Sequence, residues 1–224
     1  LTPDAATLAR DPAEVQHWLP GSQGGIDLLT VVEQVRPTVL IGTSTVAGAF
    51  SQSVVTAMAR HCPNPVILPL SNPTNLAEAT PADLLAWTDG QALVATGSPF
   101  DPVLRPEGLS QIGQCNNCFL FPGLGFAAVA VGLRVISDGM IDAGLEALAQ
   151  MIPASSDPKA PLMPALSDAA AVGAAVAEAV ALAGVREGLG PEGVGEEAVA
   201  RLLERARWRP QYPELDTSLD ALTN

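Results

Sequence analysis

The residues best placed to do chemistry in this chain are small, polar and uncharged, and they fall in a few short runs. These are Gly42-Thr43-Ser44, Ser71-Asn72-Pro73-Thr74, Gly97-Ser98-Pro99 and the pair Asn116-Asn117. Glycine lets another backbone or a ligand approach closely. Ser and Thr bring hydroxyls, and Asn offers a donor and an acceptor without charge. Such groups orient a ligand; they do not move its protons. The residues that would move protons are scarce. Lys159 is the only lysine, Tyr212 the only tyrosine, and His17 and His61 both lie outside these runs. Glu78, Asp83 and Asp101 read as solvated or helix-capping carboxylates, and no convincing general acid–base pair emerges.

Two local patterns invite a stronger reading and do not support it. Cys115-Asn116-Asn117-Cys118 has C-x-x-C spacing, but a zinc site wants four ligands. The remaining candidates, Cys62, His17 and His61, sit at no recognisable spacing. Gly123-Leu124-Gly125-Phe126-Ala127-Ala128 fits G-x-G-x-x-A. A dinucleotide fingerprint needs a buried strand before it and an acidic residue about 20 positions on, at the end of the next strand. Phe119-Leu120-Phe121-Pro122 is too short, and the residues after it are helical, so glycines opening a tightly packed helix are the better account.

The elements around the polar runs explain their placement. Thr38–Ile41, Val66–Leu70 and Ala92–Thr96 are continuous apolar runs, each ending at one of the loops, as expected of strands buried on both faces of a parallel sheet. Between them, residues 50–60 and 81–87 carry apolar side chains at helical spacing, with Thr80 before Pro81 as a helix start. Strand, helix, strand, helix, strand predicts a doubly wound parallel α/β sheet, and ligands bind such sheets at the carboxyl ends of the strands. After Leu124 the sequence turns Ala-rich and helical, over residues 124–136, 140–151, 169–185 and 196–206, with Asp138 and Asp168 as expected caps. Residues 153–164 form a polar, Pro-rich connector.

Composition narrows the function classes. A 48% hydrophobic, 16% charged chain of 224 residues is globular in type. Its net charge of −13 opposes binding to phosphate backbones. Three cysteines make no disulfide framework, so a cytoplasmic, reduced protein is expected. No apolar run is read as reaching the ~20 residues of a membrane span, and residues 1–20 lack the basic start of a signal peptide. The chain opens on Leu1 without Met, as in a fragment or a processed chain.

Taken together and in order, the loops resemble the malic enzymes. The runs that carry the likeness are Arg36-Pro37-Thr38-Val39-Leu40-Ile41-Gly42, Pro69-Leu70-Ser71-Asn72-Pro73-Thr74, Ala95-Thr96-Gly97-Ser98-Pro99-Phe100-Asp101-Pro102-Val103 and Gln114-Cys115-Asn116-Asn117-Cys118-Phe119-Leu120-Phe121-Pro122-Gly123. The similarity runs from about Asp27 to Met151 and more weakly to Trp208 and Tyr212. It implies oxidative decarboxylation of L-malate to pyruvate and CO₂ with NAD, or NADP, taking the hydride. NAD is preferred because Arg10 is the only cation in the N-terminal segment able to meet a 2′-phosphate.

In that family the Asn of the S-N-P-T loop and the first Asn of the N-N pair hold substrate. The resemblance therefore assigns substrate binding to Asn72, Asn116 and the adjacent Asn117, and cofactor binding to Gly42, Thr43, Ser44, Asn72, Gly97 and Ser98. The family's Tyr acid, Lys base, substrate Arg and three carboxylates for Mg or Mn lie upstream of the matched region, with its glycine fingerprint. No catalytic or metal residue is thus expected in this chain, the sheet should lack its first strands, and the chain alone should be inactive.

The expected organisation is a variable segment over 1–26, a partial Rossmann-like NAD(P)-binding domain over 27–152 and an Ala-rich helical extension over 153–224. The complete enzyme should be a homo-oligomer. Two alternatives stay open: part of a malolactic enzyme, or a non-catalytic nucleotide-binding or oligomerisation module.

Overall fold

The fold is described from a computed structural model, over residues 3–18, 25–106, 108–157 and 160–208. Lys159 and Tyr212 lie outside the described residues. The chain forms two compact units, residues 1–118 with 149–170, and residues 119–148 with 171–224. These units cut across the divisions expected at 26 and 152. The Pro-rich connector belongs with the sheet, where the Leu162 and Met163 backbone presses on Gly113. The helices on either side of it belong to the other unit.

The first unit opens with the short helices α1 (Pro3–Thr7) and α2 (Pro12–Val15), followed by α3 (Leu28–Val35). Asp27 starts α3 by accepting from the Thr30 N–H at 2.7 Å. Then come β1 (Val39–Gly42), α4 (Gln52–Ala59), β2 (Val66–Pro69), α5 (Pro81–Trp87), β3 (Leu93–Thr96), β4 (Val103–Arg105), β5 (Gly108–Ser110) and β6 (Gly113–Gln114). The first helix expected between strands is shorter than its apolar pattern. The second spans the residues expected, capped by Thr80, whose hydroxyl accepts from the Asp83 N–H and donates to the Asp83 carboxylate at 2.7 Å.

Four strands form one parallel sheet in the order β1-β2-β3-β6, and β4 and β5 make a separate antiparallel hairpin. Its core gathers Val54, Val55 and Met58 of α4, Leu84 and Leu85 of α5, Val32 of α3, and Ile67 and Val94 of the sheet. Burial on both faces holds for β3, but not for β1. Val39 and Ile41 stand 47% and 58% exposed while Gly42 is buried, so β1 is an edge strand covered on one face only.

The second unit is helical: α6 (Phe121–Val131), α7 (Asp138–Gln150), α8 (Ala169–Arg186) and α9 (Glu196–Ala206). The first of these ends at Gly132, whose φ of 77° is the left-handed turn that glycine accommodates, so the helix stops short of Ile136. Ser137, not Asp138, caps α7, accepting from the Met140 N–H at 3.1 Å. A Cβ on Gly123 would stand 2.7 Å from the Gly173 carbonyl oxygen and 2.8 Å from Val176, so this glycine serves close helix packing. Contrary to the sequence reading, the helical stretch Leu166–Arg186 has the length and apolarity of a membrane span, with mean hydropathy 1.6. Its apolarity comes largely from alanine, and a third of its apolar window is buried, along a stripe that includes Val172, Val176 and Val180, with Glu178 exposed.

The two faces of the sheet should answer differently to mutation. Ile67→Ala should cost about 2–5 kcal/mol in urea unfolding, because the side chain is fully enclosed. Ile41→Thr on the open face should stay within about 0.5 kcal/mol. Equal costs at both positions would mean that the outer face of β1 is covered.

Candidate functional site

Parallel pairing decides where the loops fall. Gly42 pairs with Pro69, Ile67 with Val94 and Thr96 with Gln114, so four chain segments leave the sheet on the same side. Every sequence-selected site residue stands at or just beyond those strand ends. Gly42-Thr43-Ser44 follow β1, Asn72 follows β2, Gly97-Ser98 follow β3, and Asn116-Asn117 follow β6. Asn72 and Asn116 therefore share one edge, with the end of β3 between them.

Hydrogen bonds tie this edge together loop by loop. The Thr45 N–H donates to Ser71 Oγ at 2.8 Å, joining the first loop to the second. Asn72 joins the second to the third: its Nδ2 donates to the Leu70 carbonyl at 3.1 Å, and its Oδ1 accepts from Ser98 Oγ. Gln114 Nε2 donates to the Gly97 carbonyl at 3.2 Å and the Cys115 N–H to the Thr96 carbonyl at 2.8 Å, joining the third to the fourth. Asn116 is held locally, its Oδ1 accepting from the Cys118 N–H at 3.0 Å. Asn117 is exposed in a 3₁₀ turn over Asn117–Phe119.

The glycines turn out to serve the protein's own packing. A Cβ on Gly42 would lie 2.6 Å from Cδ of Glu78 and 2.7 Å from Cζ of Phe50. One on Gly97 would strike the Leu70 carbonyl oxygen and stand 3.0 Å from Asn72 Nδ2. Close approach is real at both positions, but the groups approaching are neighbouring loops.

Sequence reasoning missed the group at the centre. Glu78 is not a solvated carboxylate: it is fully buried. Its Oε1 accepts from the Ser44 N–H at 2.7 Å, Ser44 Oγ at 2.8 Å and Ser71 Oγ at 2.5 Å, and its Oε2 from the Ser71 N–H at 3.4 Å. Burial alone would push this carboxyl up; the hydrogen bonds from Ser71 and Ser44 outweigh it and hold the group below its ordinary value. No local signal in the sequence marked it, because the flanking Ala77 and Ala79 are buried only once the chain is folded. Asp83 and Asp101 are both exposed, Asp83 accepting from the hydroxyl of Thr80, which caps the helix.

The chemistry available is neutral recognition. With Oδ1 and one N–H committed, Asn72 keeps a second N–H and a second lone pair. Asn116 keeps both of its N–H groups. Ser44 and Asn72 are exposed and reachable. A dinucleotide fits such an edge, which offers hydroxyls and amides at the carboxyl ends of parallel strands. A divalent metal does not fit: among the described residues no group of three or more His, Cys, Asp and Glu could hold one. Cys115 is also a poor candidate for thiolate chemistry, since burial pushes its thiol up.

Comparison with known proteins agrees on one family. The sequence profile of "Malic enzyme, NAD binding domain" matches residues 1–185. The chain is 44% identical over 212 residues to the NAD-dependent malic enzyme of Shewanella oneidensis, and 45% identical over 212 residues to that of Shewanella putrefaciens. Each match takes in 95% of this chain but 37% of the relative, so the chain spans little more than a third of these proteins' length. Among solved structures, malic enzyme from Pyrococcus horikoshii superposes with a TM-score of 0.59 at 26% identity, covering 80% of this chain and 36% of that one. The Entamoeba histolytica malic enzyme shares the fold, with a TM-score of 0.62 at 21% identity over 84% of this chain and 36% of its own.

The buried carboxylate makes acid stability a direct readout. A carboxyl held below its ordinary value stabilises the fold fully above that value, 4.5 for Glu, and loses the contribution as pH falls through its lowered pKa. The stability gap between the native chain and Glu78→Gln should therefore be constant near neutrality and shrink below pH 4.5 in urea melts. A gap that does not change with pH would contradict an ionised, hydrogen-bonded Glu78.

Proposed function

The chain belongs to the malic enzyme family through its NAD-binding domain, and we propose that it serves as the dinucleotide-holding and substrate-positioning part of an enzyme that oxidatively decarboxylates L-malate to pyruvate and CO₂ with NAD. The observation that carries this reading is the clasp of Asn72 between Leu70 and Ser98. It fixes an exposed amide at the strand ends and leaves it a donor and an acceptor to spare.

The assignments follow from position. Gly42, Thr43, Ser44, Gly97 and Ser98 form the dinucleotide's side of the edge, and Asn72, Asn116 and Asn117 the malate's side, with Asn72 touching both. Asn72 and Asn116 donate to malate oxygens and set the C2 hydrogen against the nicotinamide, the orientation that makes hydride transfer effectively unimolecular. NAD, when bound, supplies the hydride acceptor. Proton transfer and metal coordination belong to residues outside this chain, and the described residues provide no step through a metal.

Two measurements test the reading. Titration calorimetry of the complete enzyme with NAD should show binding, while the 224-residue chain alone should not turn over malate. A 224-residue chain that turns over malate unaided, or a complete enzyme that binds no dinucleotide, would refute the division of labour proposed. In the complete enzyme, Asn72→Ala should lower kcat/KM for malate roughly 10–100-fold, the cost of one hydrogen bond to a charged group. An unchanged value would remove Asn72 from the site. Release of lactate in place of pyruvate and NADH would favour the malolactic alternative.

A further inference from the structure

Ionisable groups are seldom fully buried without a purpose, and Glu78 is the charged side chain that the site's chemistry leaves unexplained. It follows a 3₁₀ turn over Thr74–Leu76 that carries the chain back from Asn72 toward the sheet edge. Its own backbone is anchored, its carbonyl accepting from the Phe50 N–H at 3.0 Å. The carboxylate reaches the edge because Gly42 has no side chain in its way: Cδ and Cγ would be only 2.6 and 2.8 Å from a Cβ there. At that point it takes hydrogen bonds from two different loops, at Ser44 and at Ser71. Ser71 Oγ, which donates to it, in turn accepts from the Thr45 N–H.

We propose that Glu78 is a positioning residue for the reaction, a buried clamp that fixes the Ser44 loop and the Ser71-Asn72 loop at one spacing so that dinucleotide and substrate are held in register. This rests on the function proposed above. The physical case is one of constraint. Ser44 and Thr45 are exposed, and Thr45 holds a left-handed φ of 58° unfavourable to a β-branched residue. At Ser44 and Thr45 the hydrogen bonds that reach across to another loop come from Glu78 and from the Ser71 hydroxyl that donates to it, while the far end of the loop is tied separately, the Gly48 N–H donating to the Ala77 carbonyl at 3.4 Å. Asn72 is the residue next to Ser71, so a shift of the clamp moves the substrate's amide as well as the cofactor's loop. A carboxylate does this better than an amide. It accepts on both oxygens and has no N–H to set against the Ser71 and Ser44 N–H groups.

The test uses the complete enzyme with Glu78→Gln and, separately, Ser71→Ala, which leaves the carboxylate and Ser44 in place but removes the bridging hydroxyl. Both variants should raise KM and Kd for NAD about tenfold and lower kcat at saturating NAD by a further several-fold, consistent with misplaced reacting groups. Amide exchange at Ser44 and Thr45 should speed up in both. A residue that only stabilised the fold would reduce the active fraction and the Tm while leaving KM untouched, and that result would overturn the proposal. So would native KM values with native exchange rates. If Glu78→Gln does not fold, Ser71→Ala decides by the same KM criterion. An unmutated enzyme that binds NAD while both variants keep its KM sinks the clamp and spares the functional reading. An unmutated enzyme that binds no NAD sinks both.

Discussion

A parallel sheet delivers every strand's carboxyl end to the same side, and much else in this molecule derives from that constraint. Loops far apart in sequence become neighbours, and their polar backbone groups must be satisfied where they meet. The chain meets that demand by letting the loops bind one another: Thr45 to Ser71, Asn72 to Ser98, Gln114 to Gly97. Glu78 is the extreme case, a charge taken out of water and compensated by hydrogen bonds from two loops at once. The side chains left over for a ligand are those whose hydrogen-bonding capacity the loops do not exhaust.

Much of this architecture was legible in the sequence because the signals were local. Apolar runs ending in Gly or Ser-Asn-Pro marked three of the four sheet strands, and Thr80-Pro81 marked the start of α5. Less visible was β6, two residues long, which owes its existence to pairing with β3 and not to any apolar run. Helix α3 was hidden for a related reason. Its Val-rich sequence favours strands, and the capping hydrogen bond from the Thr30 N–H to Asp27, with burial of Val32, overrides that preference. An edge was expected of a sheet that lacks its first strands, but the open face of β1 was not read, since an apolar strand looks the same whether or not something covers its second face.

The candidate site divides in the same way. Asn72, Asn116 and the loop glycines could be picked out by residue type and by the ordered motifs. Glu78 could not, because its partners lie 7 and 34 positions away along the chain and only folding brings them together. The glycines carry a packing constraint that residue type alone did not disclose. Gly42 and Gly97 are needed for close approach, yet what approaches is Glu78 in one case and the Leu70 carbonyl in the other.

The hydrogen-bonding groups left over on Asn72 and Asn116 are amides, and amides neither gain nor lose a proton across the range in which proteins remain folded. Recognition through them is titration-silent, so any pH profile of ligand affinity must originate in the ligand or in ionisable groups elsewhere. Nor do they draw a distant anion inward. A chain with a net charge of −13 gives an anionic ligand no long-range guidance of its own. Encounter here would be governed by diffusion and by whatever positive charge neighbouring polypeptide supplies, with selectivity expressed only at contact.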